Sequence, residues 1–431
     1  MTLLVISPDY ASHLLPLATL ATAWRDRGQR VVVASGPATA DIIADFGFER
    51  SDLRLGRGSN AGVIDPEDQP RDEGESLRAF FAATREGAVP TLRYQAIERL
   101  ADLMWEPDAA ARATLRVVED VAPDRILVDH LAFSARLGLD AAAVAYGDVV
   151  LGHPTALPIG DELYGFPPAW PSAFRPDTRA LEDLRSLCEV VARRFTAEWN
   201  RVGAGLGERF RATPDAFAAH GPMVLYNYPV ELVDDERREH ASPNGFLGAT
   251  LRTEPVEADV EAWIRGADRF AFVSFGSFLS VRGDVLRRVV DAAKSLGLRL
   301  AIATGSTDAA QLGHVPADWL VRSYLPQVRL LGAAAMAVTH GGNNSVTEAV
   351  GQGVPLVVLP FSSDQFAGAA SVERSGFGVV LDPNSATVEQ LREGIATALA
   401  LDDGVRVRLD AVAASQRARP GPERAFDALN A

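Results

Sequence analysis

The sequence predicts an α/β protein made of two Rossmann-like domains that face each other across a cleft. Its 431 residues exceed one ordinary hydrophobic core and suggest two or three domains. Both halves contain strand, helix and strand in close succession, a spacing that implies right-handed parallel units. In the second half, a Gly-Gly turn at residues 341–342 opens a short helix and brings free backbone N–H groups to the carboxyl edge of a sheet. That pattern indicates a ligand linked to a nucleotide.

Apolar runs of strand length recur in both halves of the chain. In the first half, strands are predicted over residues 3–7, 30–34, 125–128 and 223–228. In the second half, they are predicted over residues 270–275, 298–303, 333–339 and 356–359. These runs are dense in Val, Ile, Leu and Ala, as expected for parallel strands that are covered on both faces. An amphipathic helix follows the first strand of each half, one ending near Gly28 and one predicted over residues 285–296.

The order of the elements predicts the domain boundaries. They are an N-terminal domain over residues 1–228, a linker leading into the second domain over 229–257, a C-terminal domain over 258–405 and a helical tail over 406–431. We expect the tail to pack back on the N-terminal domain. Residues 53–78, rich in Gly, Asp, Glu and Pro and without a clear period, are predicted to form a mobile loop. In the Pro-rich segment 153–176, Phe166, Trp170 and Phe174 fit either packing or ligand contact.

The composition, 47% hydrophobic and 23% charged, is that of a soluble globular protein. A net charge of −15 argues against binding to nucleic acid or anionic lipid, which would need basic patches. The first residues lack the pattern of a signal peptide, and no apolar run approaches the length of a membrane span. We therefore expect a cytoplasmic enzyme without an integral membrane segment, either a monomer or a weak homodimer.

Two residue types occur once each and exclude several classes of protein. Cys188 is the single cysteine, which excludes an intramolecular disulfide and a thiolate metal cluster and indicates a small core residue. Lys294 is the single lysine and lies in a predicted helix without a preceding Gly-rich phosphate loop. This excludes a P-loop ATPase or kinase, and it disfavours a Schiff-base or pyridoxal enzyme.

Polar residues follow two neighbouring strands of the second half, so the corresponding loops meet at one edge of the sheet. The first group, which can cap the helix and offer donors to a diphosphate, is His340, Asn343, Asn344 and Ser345. The spacing of Ser345 and Glu348 by itself also fits a plain capping box. Asp364 and Gln365 on the adjacent loop favour a ligand site, because a carboxylate and an amide suit adjacent hydroxyls such as those of a hexose.

Two further residues extend this site. Glu348, one turn into the helix, is well placed to accept hydrogen bonds from both ribose hydroxyls. Tyr324, in the run Tyr-Leu-Pro-Gln, can stack on a planar base or lie in the core, and its position in the sequence favours neither.

The run from Tyr324 to Gln365 resembles the donor-binding signature of family 1 nucleotide-sugar glycosyltransferases, the group that contains plant secondary-product and bacterial antibiotic enzymes. Residues 273–277 resemble the strand and turn that open the second domain of that family, and residues 12–17 resemble its N-terminal Gly-His-x-x-Pro loop. The resemblance covers both halves of the chain and implies the GT-B fold.

The resemblance also implies a role for each matching residue. Tyr324 would stack on the base, Leu325 would contact it through the backbone, and Gln327 and Glu348 would hold the ribose. The sugar would be bound by Asp364 and Gln365. The diphosphate would be bound by Ser277, His340, Asn344 and Ser345, and Gly342 and Asn343 complete the predicted donor-binding residues.

Two positions depart from the family pattern. Ser12 replaces the usual Gly, which an ordinary loop backbone tolerates, and Asn343 stands where plant enzymes often have Trp. Asn343 together with Tyr324 leaves open whether the base is uracil or thymine.

His13 is the predicted general base. It follows the first strand, so it lies at the carboxyl edge of the first sheet, and an imidazole can take the proton of a hydroxyl near neutral pH. Asp129 ends a neighbouring strand and would fix the tautomer and stabilise the imidazolium. A structural role is the alternative for a histidine at such a place. His130 is the main alternative base, but in an extended chain its side chain should point away from that of Asp129.

The implied reaction is an inverting transfer of a hexose from a UDP-sugar or dTDP-sugar to a hydroxyl of a lipophilic small molecule. No Asp-x-Asp pair lies at a strand end, so we expect neither a metal nor another cofactor. Two alternatives remain open, a nucleotide-sugar epimerase of the same architecture and a non-catalytic nucleotide-sugar-binding protein.

Overall fold

A computed structural model describes residues 1–56, 71–242, 244–266, 269–276 and 281–430. These residues contain two six-stranded parallel sheets, each with a hydrophobic core on either face. The strands of the first sheet are β1 (Thr2–Ile6), β2 (Arg30–Ser35), β3 (Glu49–Asp52), β4 (Arg125–Asp129), β5 (Gly147–Val150) and β6 (Met223–Tyr226). Those of the second are β7 (Phe270–Ser274), β8 (Arg299–Ala303), β9 (Leu320–Arg322), β10 (Met336–Thr339), β11 (Leu356–Val358) and β12 (Gly378–Val380).

The helices connect these strands and form the outer layers. In the first half they are α1 (Ala11–Arg25), α2 (Ala40–Asp45), α3 (Arg71–Glu86), α4 (Ala88–Leu103), α5 (Pro107–Val121), α6 (Phe133–Ala142) and α7 (Thr178–Leu206). From the linker onwards they are α8 (Asp235–His240), α9 (Ala258–Arg265), α10 (Gly283–Ser295), α11 (Gln327–Leu331), α12 (Asn343–Gly351), α13 (Gln365–Ser375), α14 (Val388–Leu399), α15 (Asp403–Ala418) and α16 (Gly421–Asn430). Within the described ranges, none of these helices combines the length and the apolar character that a bilayer crossing requires.

Both sheets have the same strand order. The first runs β3-β2-β1-β4-β5-β6, and the second, read from its β9 edge, runs β9-β8-β7-β10-β11-β12. In each sheet the direction of strand progression reverses between the first strand and the fourth, that is, between β1 and β4 and between β7 and β10. Ligands of such sheets bind outside the carboxyl ends of the strands at this reversal. The topology therefore places one candidate crevice in each domain.

Two of the predicted irregular segments have definite structure. Part of the predicted loop over residues 53–78 is wrong, because α3 already begins at Arg71, while residues 57–70 lie outside the described part of the chain. The start of α3 is acidic and contains a glycine, so its sequence does not indicate a helix. Further along the helix, Phe80 is buried in a core cluster of the second domain. In segment 153–176, the rings of Trp170 and Phe174 pack on Phe366 of α13, with centroids at 5.1 and 5.3 Å.

Pro16 lies inside α1 and changes its hydrogen bonding. A helical N–H at this position would donate to the carbonyl of Ser12, four residues earlier, but proline has no N–H. The Ser12 oxygen instead accepts a hydrogen bond of 2.7 Å from Asn344 Nδ2 in the second domain. A carbonyl in the first turn of α1 is thus free to contact α12.

Helix α16 packs against α1 of the N-terminal domain. The rings of Trp24 and Phe426 lie 5.0 Å apart, and the Arg27 guanidinium lies 4.1 Å above the Phe426 ring while it also pairs with Glu423. Aromatic and cation contacts of this kind add to the burial of apolar area. The end of the chain therefore contributes to the stability of the first domain rather than the second.

The substitution Phe426→Ala tests this contribution. Because the ring is part of the apolar cluster between α1 and α16, we expect the free energy of unfolding of the N-terminal domain to fall by about 2–3 kcal/mol. Urea unfolding followed by circular dichroism would measure the change. Val407→Ala on α15 is the control, because Val407 is 68% exposed and its loss should cost little. Equal midpoints for Phe426→Ala and Val407→Ala would contradict the assigned role.

Candidate functional site

His13 and Asp129 meet at the reversal point of the first sheet. His13 lies in the first turn of α1, directly after β1, and Asp129 is the last residue of the adjacent strand β4. Their side chains are joined by a bond of 2.7 Å between Nδ1 and Oδ2. Asp129 is fully buried and its Oδ1 accepts the N–H of Leu131, whereas the side chain of His13 remains 21% exposed. With Nδ1 donating to the carboxylate, Nε2 of the neutral ring is the nitrogen left to accept a proton.

The surroundings of His13 suit a base that becomes charged. Burial by itself lowers the pKa of His13, but the charge of Asp129, its hydrogen bond and the more distant charge of Asp364 outweigh burial and raise that pKa above its ordinary value. The imidazolium is therefore stabilised relative to an isolated buried histidine. This is what a group that takes a proton during a reaction requires.

The loop after β11 brings Asp364 to the N-terminal domain. Asp364 Oδ2 accepts the backbone N–H of His153 at 2.6 Å, and a side chain at Gly152 would come within 2.8 Å of the same oxygen. Burial raises the pKa of Asp364, while the His153 N–H and the charge of His13 lower it in part. Asp364 and His13 thus face each other from opposite domains within electrostatic range.

Gln365 has a different environment from its neighbour Asp364. Its Oε1 accepts the backbone N–H groups of Phe361 and Ser362, at 2.9 and 3.2 Å, and its Nε2 donates to Ser362 Oγ. The amide is buried and holds the loop that carries Asp364. Gln365 therefore supports the loop of the predicted sugar site through these hydrogen bonds, with its amide group directed at the loop backbone.

The turn after β10 is built around the ring of His340. A Cβ at Gly342 would lie 2.3 Å from His340 Nε2, and one at Gly276 would lie 3.0 Å from His340 Cε1, so both positions need glycine. Burial lowers the pKa of His340 to about 4, although a hydrogen bond with the backbone of Ser274 raises it in part. His340 is therefore neutral at physiological pH, and its single ring N–H is the one that the backbone of Ser274 accepts in this structure.

Helix α12 begins at this turn and lacks a side-chain cap. Its N-cap residue is Gly342, so Ser345 is the third helical residue and the capping box of Ser345 and Glu348 does not form. Among the residues that the structure describes, no side chain accepts the first backbone N–H groups of α12 at the carboxyl edge of the sheet. An uncapped helix start of this kind attracts a phosphate or another anion.

The asparagines of α12 reach across the cleft. Asn343 Nδ2 donates to the backbone oxygens of Leu151 and Asn227, at 2.5 and 3.2 Å, and Asn344 Nδ2 donates to that of Ser12. Both amide groups therefore join the two domains in this conformation. Ser277, predicted to lie in the same region, falls outside the described residues.

The predicted base and ribose residues lie beside one another. Tyr324 is 66% exposed and presents a free ring, whereas Leu325 is buried. Gln327 Nε2 donates to Glu348 Oε2 at 2.6 Å, so the two predicted ribose ligands form one unit. Burial raises the pKa of Glu348, and the charge of Arg252 and the hydrogen bond from Gln327 oppose this increase.

Known proteins resemble the chain in sequence. Residues 233–403 match the profile of the family described as UDP-glucoronosyl and UDP-glucosyl transferase. Oleandomycin glycosyltransferase of Streptomyces antibioticus is 32% identical over 224 residues. The matched region covers 51% of this chain and 51% of that protein, so the chain spans about half the length of this relative. Demethyllactenocin mycarosyltransferase of Streptomyces fradiae is 31% identical over 438 residues, which cover 97% of this chain and 84% of that protein. The chain belongs to the family 1 glycosyltransferases.

The fold of this glycosyltransferase agrees with that assignment. The crystal structure of the glycotransferase of kitacinnamycin superimposes with a TM-score of 0.68 at 22% identity, covering 99% of this chain and 97% of that one. Together with the two six-stranded parallel sheets, this likeness confirms the predicted GT-B architecture.

His130 of the glycosyltransferase is turned away from the site. Its Nδ1 pairs with Asp148 Oδ1 at 3.0 Å, and Arg136 contacts the other oxygen of Asp148 at 3.2 Å. Burial and the charge of Arg136 lower the pKa of His130. A buried histidine fixed in this way belongs to the core of the first domain, so it does not compete with His13 for the role of base.

Sequence reasoning missed one residue of this glycosyltransferase that contacts the site. Arg252, in the segment that leads into the second domain, donates from Nη1 to Glu348 Oε1 at 2.7 Å. Its sequence neighbourhood contains no periodic pattern that would have placed it there.

Within the described ranges, no group of three or more His, Cys, Asp or Glu residues is arranged to hold a metal ion.

The substitution Gly342→Ala tests the importance of the turn before α12. The added methyl group would overlap the ring of His340, so we expect the affinity for UDP or dTDP to fall by about tenfold, measured by isothermal titration calorimetry. Gly205→Ala in α7 is the matched control, because an added Cβ meets no atom within 4 Å there. Unchanged nucleotide affinity in Gly342→Ala would show that the turn lies outside the donor site.

Proposed function

We propose that this glycosyltransferase moves a hexose, with inversion and without a metal ion, from a UDP-sugar or dTDP-sugar to a hydroxyl group of a lipophilic natural product. The observation that carries the proposal is the His13–Asp129 pair of 2.7 Å, which faces the donor half across the cleft. His13 Nε2 takes the proton of the acceptor hydroxyl while the hydroxyl oxygen forms a bond to the anomeric carbon. The bond from that carbon to the diphosphate oxygen breaks, and the nucleoside diphosphate leaves.

The chain itself offers stabilisation for the leaving group. The start of α12 has no side-chain cap, and the neutral ring of His340 lies beside it. Backbone N–H groups and the positive end of a helix stabilise negative charge that develops on a phosphate. These donors support metal-independent departure of the diphosphate, which remains part of the proposal.

Tyr164 is the partly exposed member of an aromatic cluster in the N-terminal domain and would offer its ring to the acceptor, while Phe133 and Phe217 are buried behind it. Tyr164 stacks on Phe217 with centroids 4.3 Å apart and planes 3° apart, and its ring meets Phe133 edge-on. Burial raises the pKa of Tyr164, the charge of Arg99 opposes this increase, and the charges of Asp364 and Asp129 add to it. An aromatic ring with a polar tip suits a lipophilic, hydroxylated acceptor. The names of the oleandomycin and demethyllactenocin relatives support the natural-product class.

Incubation with UDP-glucose or dTDP-glucose and a panel of phenols and macrolides would test the proposal, with and without EDTA. Mass spectrometry and NMR would follow the products. A glycosylated acceptor with inverted anomeric configuration, formed equally in EDTA, supports the proposal. A donor whose sugar has changed configuration would indicate an epimerase, and saturable binding without any reaction would indicate a binding protein.

A further inference from the structure

Arg252 occupies a position between the two domains that connects several donor-site residues. It lies between α8 and α9 in a segment without helix or strand, and its side chain is only 15% exposed. We propose that Arg252 is a positioning residue for the nucleoside, which holds the carboxylate of Glu348 and the ring of Tyr324 in one arrangement. This inference rests on the proposed placement of the donor in the second domain.

The contacts of Arg252 fix its guanidinium on two sides. Nη1 donates to Glu348 Oε1 at 2.7 Å, and Nη2 donates to Glu254 Oε1 at 2.6 Å. Glu254 is in turn held by the backbone N–H of Arg329, which donates to its Oε2 at 3.0 Å. Both carboxylates are buried, with 4% of each side chain exposed. A guanidinium fixed by two charge-assisted hydrogen bonds has little freedom to rotate.

Glu348 gains a defined orientation from this arrangement. Arg252 holds one of its oxygens, and Gln327 donates to the other at 2.6 Å. Each carboxylate oxygen can accept a second hydrogen bond, so a ribose hydroxyl can still donate to Glu348. A hydroxyl gains most from a carboxylate that is ionised and already oriented, because no further ordering is needed on binding.

Tyr324 is connected to the same guanidinium. Burial alone lowers the pKa of Arg252, but the charges of Glu348 and Glu254 and the hydroxyl of Tyr324 raise it. The Tyr324 hydroxyl therefore lies beside the guanidinium, while two-thirds of the residue remains exposed for a base to stack on. Arg252 thus links the surface for the base to the carboxylate for the ribose.

The charge of Arg252 also favours the ionised form of Glu348. Burial raises the pKa of Glu348, and Arg252 is the cation that opposes this, with Glu254 and Tyr324 as the other charged or titratable groups around it. Without the cation, Glu348 would take up a proton at a higher pH. A protonated Glu348 is a poorer acceptor for a ribose hydroxyl, so nucleotide affinity should then fall as the pH is lowered.

The test compares Arg252→Gln, Arg252→Lys and the matched control Arg329→Gln. The Arg329 guanidinium pairs with Glu261. The control therefore removes a partly buried arginine side chain that forms its ion pair with a carboxylate other than Glu348. The Kd values for UDP and dTDP are measured by calorimetry at pH 6, 7 and 8, together with KM for the donor and the acceptor. Circular dichroism checks the fold of each variant.

We expect Arg252→Gln to raise the Kd of both nucleotides and the donor KM by about tenfold at pH 7, more at pH 6, with the acceptor KM unchanged. Arg252→Lys should restore part of the affinity and remove most of the added pH dependence. Arg329→Gln should match the wild type. Wild-type affinity in Arg252→Gln at every pH, an equal loss in Arg329→Gln, or failure of the wild type to bind either nucleotide would overturn the inference.

If Arg252→Gln does not fold, the comparison of Arg252→Lys with the wild type decides. The lysine keeps the charge but loses the two-sided contact, so its Kd should lie above that of the wild type, and equal values overturn the inference. Because these titrations contain no acceptor, they give an answer even if the wild type binds nucleotide without transferring sugar. Nucleotide binding without sugar transfer would contradict the proposed function but not the inference about Arg252.

Discussion

His13→Ala is expected to lower kcat by roughly 10²–10⁴-fold while the Kd for the nucleoside diphosphate stays unchanged. The substitution removes the Nε2 atom that would take the acceptor proton but leaves the donor half intact, because His13 contacts Asp129 and not the turn before α12. Steady-state kinetics with a saturating donor would give kcat, and calorimetry with UDP and dTDP would give the affinities.

The control for His13→Ala is His220→Ala. His220 is an exposed histidine of the same domain, and its Nδ1 contacts only the adjacent backbone oxygen of Gly221. Its loss should leave both kcat and nucleotide affinity near wild-type values. Near-normal turnover in His13→Ala would show that another group removes the acceptor proton.

Asp129→Asn is expected to reduce kcat by about 10²–10⁴-fold with the fold retained. An amide has nearly the shape of the carboxylate, but it can donate to Nδ1 and so favour the wrong tautomer of His13. It also carries no charge, so the imidazolium formed during the reaction loses its partner. Leu131 N–H can still be satisfied by the amide oxygen, which limits the structural cost.

The pH dependence of the same variant provides a second measurement. The base acts when neutral, so kcat/KM of the wild type should fall as the pH decreases through the pKa of His13, which Asp129 and Asp364 raise above its ordinary value. Removing the charge of Asp129 lowers this pKa, so the acid limb of Asp129→Asn should move to lower pH, below a reduced plateau. Asp120→Asn, on the exposed face of α5, should leave the profile unchanged. If the acid limb of Asp129→Asn lies at the same pH as that of the wild type, the limb does not report the titration of His13.

Most central strands could be predicted from the sequence, whereas three of the four edge strands, β3, β9 and β12, could not. The sequence predicts the edge strand β6 and misses the central strand β5. Strands such as β1, β4, β7 and β10 are continuous apolar runs because helices cover both of their faces. By contrast, β3 reads Glu-Arg-Ser-Asp and is largely exposed at the sheet edge, and β12 has three residues. A short edge strand is determined by the partner it pairs with, which the local sequence does not reveal.

The site could be predicted as far as each domain fixes it. His13 and Asp129 follow from their places at the ends of adjacent parallel strands, a relation that strand order alone imposes. The contacts of Asp364 with His153 and of Asn343 with Leu151 depend on how the domains dock, and no periodic signal encodes that orientation. Arg252 belongs to the same group, because an irregular segment acquires its neighbours only when both domains are in place.

Pro16 has a consequence for the coordination of the two lobes. By freeing the Ser12 oxygen for Asn344, it joins the first turn of α1, which carries His13, to the first turn of α12, where we propose that the diphosphate binds. A movement of one domain away from the other would break this hydrogen bond. The proposed base and the proposed anion site are thereby linked through a proline that would take part in neither task.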